Sequence, residues 1–158
     1  MPITHQRIDL FDAPVDIIAH QVNGRGVMGA GLARHLKKRF PRVFSSYTRY
    51  CHGRSPESLL GTNLLVCADG RPGAFHDGTG QIVANLFGQA YTSRSDKMTD
   101  EVAVRAALTH LKGFAKARGL SVALPYKMGC NLGGGDWRVI EPIIADVFAD
   151  YPVLICQQ

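Results

Sequence analysis

The sequence predicts an α/β fold with helices on both faces of a central sheet, and three observations lead there. Short apolar runs of strand type alternate along the chain with longer amphipathic patterns of helical period. Two glycine-rich loops each follow the carboxyl end of a strand and lead into a helix. The stretch over 15–22 is mostly apolar, as befits a strand covered on both faces.

The elements follow in order. A first strand is expected over 6–11, stopped by Asp12-Ala13-Pro14. Asp9 interrupts it, and an aspartate at a strand end serves either as a turn or cap residue or as a ligand contact. The second strand covers 15–22. The first helix is expected over 31–40, with Leu32, Leu36 and Phe40 at helical spacing and Pro41 ending it; a short helix follows over 42–51. Strands over 59–68 and 81–89, separated by a turn-rich loop over 69–80, suggest a hairpin. Thr99 or Asp100 caps a helix over 101–118, whose buried stripe is Val104, Leu108, Leu111 and Ala115 and which Gly119 stops. A strand over 121–125 ends at Pro125. Asp136 caps the last helix, 137–148, with Glu141 and Pro142 in its first turn, and 153–156 forms the final strand. No repeat, low-complexity segment or linker breaks the series, so one domain over 1–158 is expected.

The loops point to a ligand. After the second strand come Gly24, Gly26, Gly29 and Gly31, and then a helix. Glycines let the backbone approach closely, and a helix start offers unpaired N–H groups and a positive dipole end to a phosphate. The same glycines also serve to turn a tight corner. Their spacing is neither G-x-G-x-x-G nor G-x-x-x-x-G-K-[ST], so neither a Rossmann site nor a P-loop is supported. The second loop, 128–137, carries Gly129, Gly133, Gly134 and Gly135. Ligands of open α/β sheets bind at the carboxyl ends of strands, and two such loops side by side suit a diphosphate.

The net charge is +5 with a pI near 9.2, and the run from Arg34 to Arg54 holds Lys and Arg but no acid. Such a run is either a solvated helix face or an attractor for nucleic acid or an anionic small molecule. The four cysteines share no C-x-x-C spacing and have no His pair beside them, so no metal site is expected. The amino-terminal residues lack a signal-peptide h-region and no apolar run reaches about 18 residues, so the expectation is a cytoplasmic chain without a membrane partner.

Four stretches carry a family resemblance: Ile8-Asp9-Leu10-Phe11, Ala19-His20-Gln21-Val22-Asn23, Gly26-Val27-Met28-Gly29-Ala30-Gly31-Leu32-Ala33 and Leu124-Pro125-Tyr126-Lys127-Met128-Gly129-Cys130-Asn131-Leu132-Gly133-Gly134-Gly135-Asp136-Trp137. In this order they resemble a macrodomain. They are similar to the branch containing terminal ADP-ribose protein glycohydrolase and to the ADP-ribose-1''-phosphate processing proteins of bacteria and phages.

The resemblance implies a three-layer α/β/α sandwich with a mixed sheet of about six strands, ADP-ribose in a cleft at the strand ends, and no cofactor. Asp9 would accept from the adenine amine while the Leu10 N–H fixes the ring. Val27, Met28, Gly29, Ala30 and Gly31 would wrap the diphosphate and distal ribose. Met128, Gly129, Cys130, Asn131, Leu132 and Gly133 would close from the other side, with Gln21 and Gly88 between the loops. Asn23 would hydrogen-bond the distal ribose hydroxyls. Cys130 either touches the ligand or packs.

The match also breaks at two positions. Where the glycohydrolase has its attacking lysine this chain has Gln89, and where it has the partner aspartate this chain has Gly133. A lysine–ribose covalent route is therefore not expected. Three readings remain: hydrolysis of ADP-ribose from modified proteins at an ester to Glu or Asp, phosphatase action on ADP-ribose-1''-phosphate, and a reader without turnover. For hydrolysis the candidates are Asn23 or Gln89 orienting a water and Asp136 as base, unless Asp136 only caps its helix. The expected partners are ADP-ribose and ADP-ribosylated proteins, with nucleic acid conceivable through the basic run.

Overall fold

The computed structural model describes residues 3–69, 81–93, 95–130 and 133–158. Six strands, β1 (Ile3–Gln6), β2 (Ile17–Val22), β3 (Asn63–Cys67), β4 (Ile82–Phe87), β5 (Val122–Pro125) and β6 (Val153–Cys156), form one sheet in the order β1-β6-β5-β2-β4-β3. Every neighbouring pair is parallel except β3 with β4, which is the expected hairpin pairing. The helices are α1 (Gly31–Arg39), α2 (Pro41–Cys51), the single turn α3 (Pro56–Leu59), α4 (Glu101–Arg118) and α5 (Trp137–Val147).

Strand alternation divides the core between two faces. Ile17 and Ala19 of β2, with Ile82, Ala84 and Leu86 of β4, pack with Val104, Leu108 and Leu111 of α4 and Ile140 and Ile144 of α5. Ile18, Val22, Val83 and Phe87 project the other way, onto Leu36 of α1 and Val43 and Tyr47 of α2. The result is the three-layer sandwich with a mixed sheet. Burial of each large side chain contributes about 1.5–3 kcal/mol, so both helical layers are held chiefly by these contacts.

Local signals set the element ends, and several differ from expectation. The first strand lies over Ile3–Gln6, not 6–11, because Asp9 Oδ1 accepts from the Phe11 N–H at 2.9 Å and turns Leu10–Asp12 into a short 3-10 helix. Pro41 starts α2 at its first position, where the missing N–H costs nothing, as well as ending α1. Leu59 belongs to α3, capped by Ser55 with Pro56 at its first position, so β3 begins only at Asn63. Pro142 lies inside α5, beyond its first turn. The cap of α4 is Asp100, which accepts from the Ala103 N–H at 3.0 Å, and Gly119 ends the helix at φ +67°. Most of the expected 69–80 loop lies outside the described residues. Among the described residues no helix is long and apolar enough to cross a membrane.

The register places the site. β2 and β4 pair from Ile17↔Ile82 through Val22↔Phe87, so their carboxyl ends finish level. β5 and β6 end on the same sheet edge, because both run parallel to β2. The loops after β2, β4 and β5 therefore gather at one rim.

Candidate functional site

A cavity of about 640 Å³ opens along that rim. Its walls take Asp9 and Leu10 after β1, Cys156 of β6, Pro125 at the end of β5 with Tyr126 to Gly129 after it, His20 to Val22 of β2 with Asn23 after it, and Gln89 after β4. Neighbouring strands are about 4.8 Å apart, so from β1 to β4 the trough runs roughly 19 Å. Its shape suits an elongated ligand rather than a compact one.

One wall is the first glycine loop and the start of α1. Val27, Met28, Gly29, Ala30, Gly31, Leu32 and Ala33 all line the cavity. The α1 cap residue, Ala30, has no side chain able to bond the first N–H groups, and none of the first-turn residues is acidic. The amino end of α1 thus presents unpaired donors and positive dipole charge to the cavity, the condition for anion binding.

The loop leading into α1 is braced from beneath. Asn23 Nδ2 donates to the Val27 carbonyl at 2.9 Å, and Asn23 Oδ1 accepts from the Arg25 N–H at 3.0 Å. The Tyr47 hydroxyl, fully buried, lies 2.6 Å from the Asn23 carbonyl oxygen and 2.9 Å from Asn23 Oδ1. Gly26 adopts φ +78° where the loop packs on Thr48 and Cys51. Asn23 sits in the cavity wall, but its side-chain amide is engaged in holding this loop's shape.

The opposite end is built from neutral polar groups. Gln21 Nε2 donates to Gln89 Oε1 at 2.9 Å, and Gln89 Nε2 donates to the Tyr91 carbonyl at 2.8 Å. Gly88 and Gly129 pinch the Gln21 side chain so closely that a Cβ on either would lie 2.5 Å from its Oε1. Gly133 meets Thr99, Gln89 and the Gly129 carbonyl in the same way.

His20 lies in the cavity floor, 1% exposed. Asn85 Nδ2 donates to the Leu64 carbonyl at 3.0 Å, which turns Asn85 Oδ1 toward His20. The ring therefore carries its proton on Nε2, donating to that oxygen at 2.8 Å. Burial lowers its pKa to about 4, against a smaller upward effect of the Asn85 bond. At neutral pH the imidazole is uncharged and supplies no cationic acid.

The predicted residues fall into three groups. Asp9, Leu10, Gln21, Asn23, Val27, Met28, Gly29, Ala30, Gly31, Gln89, Met128, Gly129 and Gly133 line the cavity. Gly88, Cys130 and Asp136 do not appear in its wall. Asn131 and Leu132 lie outside the described residues. Cys130 Sγ points to the Met128 carbonyl at 3.4 Å, and burial pushes its thiol pKa up. Asp136 accepts from the Arg138 N–H at 2.9 Å as the cap of α5 and pairs with the Arg138 guanidinium. Those bonds hold its carboxyl below the usual range and occupy it as a cap. Thr92 and Ser93, which carried no signal in the sequence, also line the cavity, as do Tyr126 and Lys127 of the second motif. Lys127 stands at φ +58°, and its only signal was its place beside the loop.

An open, acid-free helix start facing a trough at the carboxyl rim of a mixed, helix-covered sheet marks an α/β/α sandwich with a candidate ligand site. The fold is that of a macrodomain. The macrodomain of Mycobacterium tuberculosis DarG superposes with a TM-score of 0.79 at 25% identity, covering 99% of this chain and 97% of that one. A DNA ADP-ribosyl transferase-DNA ADP-ribosyl glycohydrolase fusion protein of Thermosipho africanus is 29% identical over 143 residues, 86% of this chain but 36% of the relative. The chain thus spans about a third of that relative's length. An ADP-ribose 1''-phosphate phosphatase of Lodderomyces elongisporus is 28% identical over 154 residues, 91% of each chain. No family model matches the chain.

Proposed function

We propose that this chain binds ADP-ribose in the trough and hydrolyses the bond at its C1'' carbon, releasing ADP-ribose from an ester to a protein Glu or Asp. The observation that carries the reading is the uncapped, acid-free start of α1 facing the cavity, which suits a diphosphate without a metal. The names of these relatives, concerned with ADP-ribosyl groups on DNA and with ADP-ribose 1''-phosphate, support its ADP-ribose part.

The reaction follows from what the wall contains. Among the described residues the titratable side chains there are few: Asp9 at the β1 end, the buried neutral His20, Tyr126, Lys127 and Cys156. At the Gln89 end the side-chain groups are amides and hydroxyls. With no strong acid among the described residues at that end, the site suits a leaving group that departs as a weakly basic anion. A carboxylate does. The C1''–O bond breaks with its electron pair going to the carboxylate, water adds to C1'', and the water's proton passes to solvent or to the departing carboxylate. Gln89 orients the water, while the bound diphosphate favours the positive charge that develops on the ribose. Phosphate leaves equally well, so ADP-ribose 1''-phosphate is a substrate of the same chemistry.

A second reading has its own observation. The segment 31–54, which forms α1, α2 and the turn after them, holds seven Lys or Arg and no Asp or Glu, whereas the rest of the chain holds eleven against thirteen. The whole positive excess therefore lies on the layer whose helix start borders the cavity. Arg34, Lys37, Lys38, Arg42 and Arg49 are exposed there, a surface fit for a phosphodiester strand carrying the ADP-ribosyl group.

The test is release of ADP-ribose, followed by mass spectrometry, from glutamate-linked mono-ADP-ribosyl protein, from ADP-ribose 1''-phosphate and from an ADP-ribosylated oligonucleotide. Turnover of the protein ester in heavy-oxygen water with no label in the freed glutamate supports attack at C1''. Label in the glutamate contradicts it. Turnover confined to the oligonucleotide, falling steeply with salt, establishes the second reading instead.

A further inference from the structure

The end of the cavity around Gln89 is held by a chain of hydrogen bonds, half-buried at Gln21 and Gln89, whose hub is the buried Thr99. This residue stands one position before the Asp100 cap of α4 and is 4% exposed. Its Oγ1 lies 2.7 Å from the Gly129 carbonyl oxygen and 2.9 Å from Gln21 Nε2. Its backbone N–H donates to the Gly133 carbonyl at 2.9 Å. The next residue's N–H donates to the Gly88 carbonyl at 2.8 Å, so the lead into α4 touches every glycine around Gln21.

The direction of each bond follows from the two ends of the chain. The Tyr91 and Gly129 carbonyls can only accept. Gln89 must therefore turn Nε2 to Tyr91 and Oε1 to Gln21. Gln21 must answer with Nε2, which also reaches Thr99. Thr99 accepts there and gives its single hydroxyl proton to Gly129. Gln21 Oε1 is left in the wedge between Gly88 and Gly129, buried and with no hydrogen-bond partner among the described residues. An unpaired buried acceptor is unfavourable. It persists because turning the amide over would set that oxygen against Gln89 Oε1 and would remove the donor that Thr99 requires.

We propose that Thr99 is a positioning residue: through Gln21 its hydroxyl fixes the Gln89 amide at the cavity wall, and through Gly129 it anchors the second glycine loop. The inference rests on the hydrolytic reading, in which Gln89 orients the attacking water. One hydroxyl proton thus ties the loop that closes on the ligand to the amide that prepares the water. Thr99 itself stays out of the cavity wall.

Thr99→Val removes the hydroxyl at nearly constant size. On an ADP-ribosyl ester, kcat falls about ten- to a hundredfold, more than KM rises, and Thr99→Ser restores it. The direct readout is the side-chain amide resonance pair of Gln89, identified by its loss in Gln89→Met. That pair shifts in Thr99→Val and returns in Thr99→Ser, although Thr99 makes no bond to Gln89. Unmoved Gln89 resonances, or an unchanged kcat in Thr99→Val, overturn the proposal. If Thr99→Val does not fold, Gln21→Met cuts the same chain one link on and must shift the Gln89 pair, and failure to do so also overturns it. Wild-type protein that releases no ADP-ribose defeats the hydrolytic reading, and the resonances then decide separately whether Thr99 holds Gln89.

Discussion

The buried hydroxyl of Tyr47, on α2, lies 2.6 Å from the backbone carbonyl of Asn23 and 2.9 Å from its side-chain oxygen. This contact fixes the turn from β2 into the first glycine loop from the side away from the cavity. Tyr47→Phe keeps the ring packing against Phe44 and Phe87 but deletes the donor. The expected loss of stability is about 1–2 kcal/mol in chemical denaturation, because the Asn23 acceptors are left partly unpaired. ADP-ribose affinity measured by calorimetry falls with it, since the loop that meets the diphosphate loosens. Unchanged affinity would separate loop bracing from binding.

The two glycine loops should respond differently to the same substitution. A Cβ at Gly29 meets nothing within 4 Å and its φ does not require glycine, so Gly29→Val folds normally and places its bulk at the cavity. Gly129 adopts φ +74° and a Cβ there would lie 2.5 Å from Gln21 Oε1. Gly129→Val is therefore expected to lose several kcal/mol of stability through backbone strain and overlap. Thermal melts of the two variants check the contrast, and similar melting temperatures would refute it.

Asp9 has a structural duty as well as a place in the cavity wall. Asp9→Ala loses the bond to the Phe11 N–H, about 1 kcal/mol of stability, together with any contact to the adenine amine. Asp9→Asn keeps a cap oxygen and so isolates the ligand contribution. It should melt near wild type yet bind ADP-ribose more weakly, by about 1–3 kcal/mol if the carboxylate takes the amine. Equal affinity would remove Asp9 from adenine recognition.

Much of the fold was legible in the sequence, and the exceptions have identifiable causes. The bounds of α4 and β6 were readable because their signals are local: Asp100 and Gly119 around an amphipathic run, and four residues of apolar strand. The first strand was misplaced because Ile8, Leu10 and Phe11 look like strand residues until the Asp9 side chain bends the backbone. The cavity wall was readable as two glycine loops at strand ends. What could not be read was how side chains from distant segments meet. Thr99 looked like a cap, whereas it bonds Gln21 and Gly129, 78 and 30 residues away. Asn23 looked free to meet a ribose until Tyr47 and Val27 were seen to engage it. His20 stands on β2 beside the first loop, and only Asn85 on the neighbouring strand shows that it is a satisfied interior histidine.

His20 also predicts an acid transition. Its pKa is about 4 in the folded chain against 6.5 for an ordinary histidine. The unfolded chain therefore binds more protons between these values, and stability falls as pH drops from about 6.5 to about 4, then levels. A shift of this size corresponds to roughly 3 kcal/mol. Denaturation curves at pH 7 and pH 4.5 should show a large part of that loss in wild type and less of it in His20→Gln. The same pH dependence in both would place the acid lability elsewhere.

The most direct test of the account is a calorimetric titration of ADP-ribose into the wild-type chain and into Gly29→Val, with both shown to be folded by their melts. The central claim is that the diphosphate rests on the first glycine loop and the open start of α1. It predicts one-site binding to wild type and a loss of at least about a hundredfold, roughly 3 kcal/mol, in the variant. No binding to wild type, or equal affinity in Gly29→Val, would contradict the claim.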